Sequence, residues 1–415
     1  ASDGNWTGGL VRRASRVALS TSGQIAALTV PQRDGRGAGA HATSTAATTT
    51  SLRITGASRP GPARVNRRGA AVRCGMAQLR VLVVGAGAVG QVYAHHFQRG
   101  GAAVTMFVRA KYQAEAAAGF TLYRLRRRKV EAQRFEGFAI ATTAAEVAAA
   151  RFDQIVLTVA TPALRGPWLA ELIAAAGDAT IVSLQPGLDA RALVLAAGVD
   201  EARLVRGLIS LISYHAPLPG ETRFPTPGMA YWFPPLAPCP FAGPRDRTAA
   251  VVAALRAGGF PAKVAKDTSA AEAFPSAVMM PYLAALELGG WTVRGAVQRG
   301  TLAEGAAAAR QAIAVVRHVL GRPPLGVRLL ARPRLLRAGL WCARPLIPLP
   351  LETYLEAHFT KVGDQTAEML DAYVAKGRAA GLPVDALEAL ATRLAAQRGA
   401  PKTGSRSTGS STAGG

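Results

Sequence analysis

The sequence predicts an N-terminal α/β domain built on a parallel, doubly wound sheet, followed by an all-α C-terminal helical domain. Three observations carry this. A short apolar run, Val81–Val84, stops at a glycine and opens into the amphipathic stretch QVYAHHFQRG. Short apolar runs and helix-length runs then alternate to about residue 258. Beyond that point the apolar spacing is helical almost throughout.

The first unit, Leu79–Gly90, reads LRVLVVGAGAVG. Gly85, Gly87 and Gly90 keep the G-x-G-x-x-G spacing after a strand and before a helix. The first glycine allows the tight turn, the second lets backbone approach a pyrophosphate, and the third lets helix and strand pack closely. A helix N-terminus there offers unpaired N–H groups to phosphate. The strand is set at Arg80–Val84 and the helix at about 87–98, the start of a dinucleotide-binding domain of the Rossmann type. The next strand, Ala103–Val108, ends in Arg109 and Lys111, nineteen and twenty-one residues after Gly90. An acidic residue here would take a ribose 2′-hydroxyl. A guanidinium suits a 2′-phosphate, so the expected cofactor is NADP(H).

Residues 117–142 alternate weakly and carry RLRRRK, which predicts an antiparallel excursion with an exposed charged face. Asp153–Val159 is a buried strand and Trp168–Ala176 a helix. Thr180–Leu184 is a strand ending at Gln185-Pro186-Gly187, Ala190–Ala197 a helix, and Leu204–Ser213 one further strand. The Pro- and Gly-rich stretch 214–244 suits short edge strands, and helix Thr248–Ala257 closes the domain. Ala270–Leu288 predicts a long helix kinked at Pro281. Helices at Leu302–Leu320, Leu351–Lys376 and Asp385–Gln397 follow. Arg322–Pro350 reads best as a helical insertion on the bundle, a basic amphipathic membrane contact being the alternative.

Residues 1–75 are Ala-, Gly-, Ser-, Thr- and Arg-rich without periodicity, so they predict disorder. They read as upstream sequence ahead of Met76 or as a transit-like extension. The expected organisation is therefore extension 1–75, NADP-binding domain 76–258, helical substrate and dimerisation domain 259–398, and disordered tail 399–415. The expected setting is cytoplasmic, or organellar if the extension is a transit peptide. The formal charge is +24, but aromatic residues are only 6% and do not interleave with the basic runs. That weighs against nucleic acid. Three scattered cysteines make no disulfide framework, the six histidines form no metal-ligand pattern, and no apolar run reaches the length of a membrane span. His95 and His96 are expected on a partly exposed helix face.

Taken together, VLVVGAGAVG, FVRAK, DQIVLTV, TIVSLQPGL, LVRGLISLIS and the C-terminal HFTKVGDQTAEMLDAYVAKGRAAGLPVDALEAL resemble the ketopantoate reductase (2-dehydropantoate 2-reductase) family over about Met76–Gln397. The resemblance implies an NADPH-binding domain, a helical domain, and a small 2-keto acid reduced in the cleft between them. A homodimer through the helical domain is the expected assembly. The cofactor would contact Gly85, Gly87, Ala88, Val89, Gly90, Arg109, Lys111, Val159, Ala160 and Gln185. The chain departs from the family at the chemistry. Ala160 stands where a lysine is usual, and Pro186 replaces an asparagine. Ser276 and Met280 fall at the catalytic lysine and the asparagine that follows it. The acidic residue of the last substrate helix falls at Asp364 or Gln365, and the family's serine at Thr353.

Reduction of a keto group needs a donor beside the developing alkoxide. Ser276 can donate a hydrogen bond but is a poor proton source, so ketopantoate itself is not the expected substrate. Ser276, Tyr282 and Lys361 are the candidate catalytic residues, with Lys361 also suited to bind a carboxylate and His358 to act as an acid. Thr353, His358 and Asp364 are the candidate substrate contacts, with His358, Lys361 and Asp364 on one helix face. Two other readings remain. One is a catalytically degenerate NADP(H)-binding sensor, and the other an opine-type imine reductase.

Overall fold

The computed structural model describes residues 78–399 and a two-residue strand pair at Ser20–Thr21 and Ile25–Ala26. Positions 128, 325 and 362 and the side chains of Arg344 and Asp364 are excepted. The other residues of the predicted extension, and the tail beyond Gly399, lie outside the described residues.

The main sheet is built from β1 (Arg80–Val84), β2 (Ala103–Phe107), β5 (Ala139–Ala141), β6 (Gln154–Leu157), β7 (Thr180–Ser183), β8 (Leu204–Gly207), β11 (Cys239–Ala242) and β12 (Ala262–Val264). Its order is β12-β11-β8-β7-β6-β1-β2-β5. The strands from β5 to β8 are mutually parallel, and β11 runs antiparallel to β8. Strand order reverses between β1 and β6. In an open α/β sheet that reversal leaves a crevice at the carboxyl ends of the strands. Val81–Val84 and all of β6 and β7 are buried, as expected of central parallel strands covered on both faces. The sheet's last strand, β12, lies beyond residue 258, the predicted end of this domain.

The excursion at 117–142 is the hairpin β3 (Phe120–Leu125) and β4 (Val130–Phe135), with Arg126 and Glu131 ion-paired near its tip. It joins β9 (Ile212–Ala216) and β10 (Gly228–Trp232) in a second sheet, ordered β9-β10-β3-β4. The predicted strand Leu204–Ser213 is therefore two strands in two sheets. Gly207 ends the first, where a side chain would strike Phe241 and Leu184, and the Ser210 N–H donates to the Cys239 sulfur at 3.2 Å. Both halves are apolar and buried, so hydropathy alone shows no break between them.

Helix α1 (Ala88–Arg99) packs with residues of both sheets in one core, which includes Val92, Tyr93, Phe97, Leu122, Phe135 and Tyr231. This overturns the partly exposed face expected for His95 and His96, which are 6% and 0% exposed. The His96 Nδ1 bonds the Gly258 carbonyl at 2.8 Å, and its ring meets Tyr231, Phe233 and Phe260.

Between the sheet strands lie α2 (Gln113–Ala117), α3 (Ala144–Ala150), α4 (Trp168–Ala175), α5 (Ala190–Ala196) and α6 (Arg245–Ala257). The helical part contains α7 (Ser269–Leu288), α8 (Val293–Gln298), α9 (Thr301–Leu320), α10 (Val327–Leu330), α11 (Pro333–Ala343), α12 (Leu351–Lys361), α13 (Gly363–Ala379) and α14 (Asp385–Gly399). Helix α7 carries two prolines, Pro275 and Pro281, each of which removes an intrahelical hydrogen bond. It packs closely on α9. At Gly305 a side chain would meet Ala285 and the Pro281 carbonyl, and Ala306, Ala309 and Ala312 continue the stripe of small residues. The stretch 322–350, expected to be a helical insertion, contains α10 and α11. No helix among the described residues is long and apolar enough to cross a membrane.

Candidate functional site

The glycine loop sits at the carboxyl end of β1, beside the strand-order reversal. Its three glycines meet three different demands. Gly85 has φ +101°, a backbone conformation L side chains rarely adopt. Gly90 is buried where a β-carbon would collide with the Gly85 carbonyl oxygen and approach the Thr158 hydroxyl to 2.6 Å. Gly87 is exposed, and a β-carbon there would meet nothing within 4 Å. It is the N-cap of α1 and has no side chain to cap it. No side chain caps the first turn of α1, and the space beside its N-cap is open, with Ala88 and Val89 half-buried next to it. A phosphate fits this arrangement: unpaired donors, the positive end of the helix dipole and no intervening side chain.

Thr158 secures the turn from the neighbouring strand end, donating its hydroxyl to the Val84 carbonyl at 2.7 Å and the Gly85 carbonyl at 3.1 Å. Val159 lies against Gly85, and Ala160 is exposed. Gln185 is placed differently from a cofactor contact. It is 4% exposed, its amide N–H groups donate to the Leu157 and Val159 carbonyls, and its oxygen accepts from Ser183. Its side chain ties the end of β7 to the end of β6. At the end of β2, Arg109 and Lys111 are exposed and flank the Tyr112 ring at 4.9 and 5.0 Å. Arg109 also donates to the Tyr112 hydroxyl at 3.1 Å.

The other half of the site comes from the helical part. Ser276 is buried on α7. One turn earlier stands Glu272, a residue the sequence did not single out. Its carboxylate accepts from the Gly187 N–H at 2.7 Å and from the Arg206 guanidinium at 2.7 Å, while Arg206 also donates to the Ser269 hydroxyl. Burial pushes the Glu272 carboxyl up to about 7, against the opposing pull of Arg206. The pair fastens the turn Gln185-Pro186-Gly187 to α7, and Thr161 donates to the Pro186 carbonyl from the β6 side. The only sequence signal for this role is a glutamate four residues before Ser276 in a mainly apolar helix.

Tyr282 does not offer the proton-donor geometry expected of it. It is 4% exposed, packs at the α7–α9 contact near Gly305, and burial pushes its phenol up to about 12. Its hydroxyl has no hydrogen-bond partner among the described residues. The cause is the close α7–α9 packing, which turns this face of the helix into the core. Thr353 and His358 are half-buried on α12. Burial, with the Lys361 charge, lowers the His358 imidazole to about 4. Lys361 is exposed and reaches His215 of β9, Nζ to Nε2, at 3.1 Å. The Asp364 side chain lies outside the described residues. Helix α13 meets the loops after β6 and β7 through Arg165–Glu368 and Asp189–Lys376 ion pairs, at 3.6 and 2.8 Å. No cluster of histidine, cysteine, aspartate and glutamate suited to a metal occurs among the described residues.

Residues 81–237 match the profile of the ketopantoate reductase PanE/ApbA family. Solved structures of this fold include 2-dehydropantoate 2-reductase from Geobacter metallireducens GS-15, with TM-score 0.58 and 19% identity over 77% of this chain and 100% of that one. A PanE/ApbA family ketopantoate reductase from Ralstonia eutropha JMP134 matches with TM-score 0.56 and 20% identity, over 77% and 98% of the chains. D-mandelate dehydrogenase, solved with NADH and anilino(oxo)acetate, matches with TM-score 0.55 and 13% identity, over 77% and 98%. Comparison with curated protein sequences finds no match. The resemblance to the ketopantoate reductase family is thus borne out in the profile of residues 81–237 and in the fold, an α/β domain followed by a helical one.

Proposed function

We propose that this protein is an NADPH-dependent reductase of a small 2-keto-acid-like substrate other than ketopantoate. The observation that carries the reading is the glycine loop. Gly87 is open to solvent at the switch point of the sheet, with the α1 N-terminus behind it. When bound, the cofactor supplies a hydride for the substrate's carbonyl carbon.

The residues of the chain divide the remaining work. Gly85, Gly87 and Gly90 let backbone N–H groups reach the pyrophosphate, with Ala88 and Val89 opening the helix that presents them. Arg109 and Lys111 take the 2′-phosphate, and the guanidinium is already oriented by Tyr112. Val159 and Ala160 border the loop from the β6 side. Gln185 acts indirectly by fixing the two strand ends. Ser276 is the hydrogen-bond donor proposed for the carbonyl oxygen, and Thr353, His358, Lys361 and Asp364 are proposed to hold the polar groups of the substrate. The Arg206–Glu272 pair, with its carboxylate buried, is a positioning pair that keeps the turn after β7 in place.

A second reading, an NADP(H)-binding sensor without turnover, draws support from the burial of Tyr282 in the helical core. One experiment separates the two. NADPH and NADH are titrated by fluorescence, and NADPH oxidation is followed with a panel of 2-keto acids. Tight NADPH binding with turnover of at least one acid supports the reductase. Binding without turnover supports the sensor, and absence of binding refutes both.

A further inference from the structure

His215 and Lys361 are 146 residues apart in sequence, yet β9 and α12 bring them together. The Lys361 Nζ lies 3.1 Å from the His215 Nε2, and an ammonium, which only donates, pairs with the neutral imidazole whose proton is on Nδ1. His358 lies three residues before Lys361 on the same helix, its ring held between Tyr354 at 5.4 Å and Phe359 at 5.0 Å. Partial desolvation and the Lys361 charge lower both imidazoles. No ion pair engages Lys361 among the described residues. Glu115 on α2 is a carboxylate whose charge reaches His215, and the Asp364 side chain lies outside the described residues. The exposed Lys361 ammonium and His215 imidazole thus stand beside the half-buried His358, whose ring is already packed in place. Such a cluster is short of one negative charge and rich in donors.

We propose that His215, His358 and Lys361 form the subsite for the substrate's carboxylate. This rests on the 2-keto acid reading above. The nearby Glu115 charge opposes a dianion more than a monoanion, which favours a carboxylate over a phosphate.

The test uses oxamate, which carries a carboxylate beside an unreactive carbonyl. It is titrated into the full chain without cofactor, and the histidine ring-proton resonances are followed by NMR. Oxamate is expected to shift the His215 and His358 resonances and to raise the His358 titration midpoint. Lys361→Met is expected to weaken oxamate at least tenfold, and Lys361→Arg to keep most of the affinity. If neither resonance moves, or Lys361→Met binds oxamate like the parent, the subsite is refuted. Tighter binding of inorganic phosphate than of oxamate at the same resonances overturns the carboxylate assignment. NADPH titration of the same variants keeps the two readings apart. Unchanged NADPH affinity alongside lost oxamate binding supports the subsite, whereas a parent protein that binds oxamate but not NADPH overturns the reductase and leaves the anion site standing.

Discussion

Replacing Gly87 with alanine places a methyl group in the space proposed for a pyrophosphate without disturbing the fold. Gly87 has φ −73° and ψ 180°, which alanine adopts without strain, and its β-carbon would meet nothing within 4 Å. Two small effects on stability oppose each other. Alanine restricts the unfolded chain, worth about 0.4–1 kcal/mol in favour of folding. Alanine is also a poorer N-cap than glycine, at a cost on the order of 0.5–1 kcal/mol. The net change is expected within about 1 kcal/mol of zero. Gly90→Ala is the control. Its methyl would land on the Gly85 carbonyl and crowd Thr158, both parts of the strand ends, so overpacking costs about 1–3 kcal/mol. Thermal melts and NADPH fluorescence titrations are run on both variants. Gly87→Ala should keep the melting temperature and lose at least tenfold in NADPH affinity, about 1.4 kcal/mol. Gly90→Ala should melt clearly lower. If Gly87→Ala binds NADPH like the parent, or melts as low as Gly90→Ala, the assignment of the loop is wrong.

Arg109→Ala is expected to weaken NADPH at least tenfold and leave NADH unchanged, as read by paired titrations; equal effects on both cofactors would remove the 2′-phosphate role. Acid should destabilise the fold through His96, whose folded value of about 3 lies below the ordinary 6.5. The unfolded chain then binds the extra proton between those values, so stability is lost as pH falls below 6.5, about 2 kcal/mol by pH 5. Glu272 acts in the opposite sense. Its carboxyl is raised from 4.5 to about 7, so its contribution is present at low pH and lost as pH rises through 7. Urea unfolding at pH 7 and pH 5 of the parent and of His96→Asn isolates the histidine, and an equal pH dependence in both would show that His96 does not contribute. Glu272→Ala removes the acceptor shared by the Gly187 N–H and the Arg206 guanidinium and should cost about 3–5 kcal/mol, part of it regained in Glu272→Ala/Arg206→Met. A single variant as stable as the parent would mean the pair holds nothing in place. For the expected homodimer, the exposed Leu335, Trp341 and Leu346 are the apolar groups to test. Sedimentation should show a dimer for the parent and a monomer for Trp341→Lys, and a monomeric parent rules the dimer out.

The sequence by itself determined the α/β-then-α order of elements and the glycine loop. Those signals are local: a buried strand is a continuous apolar run, and a turn that admits only glycine spells itself out at three positions. The Arg109 and Lys111 pair was legible for the same reason, since it lies at a fixed distance beyond the loop. Only the tertiary structure decided what lies around them. The run Leu204–Ser213 looks like one strand because hydropathy records burial and does not record which sheet buries it. His95 and His96 look like a solvated helix face because nothing local reveals a second sheet behind α1. Tyr282 and Glu272 stand on the same apolar helix. Close packing of α7 against α9 places the phenol in the core. Arg206, from a strand 66 residues away, makes the carboxylate a structural clasp. His215 is visible as a partner of Lys361 only once β9 and α12 are side by side. Contacts across such separations arise from the balance of packing over the whole chain, and no spacing within a short stretch encodes them.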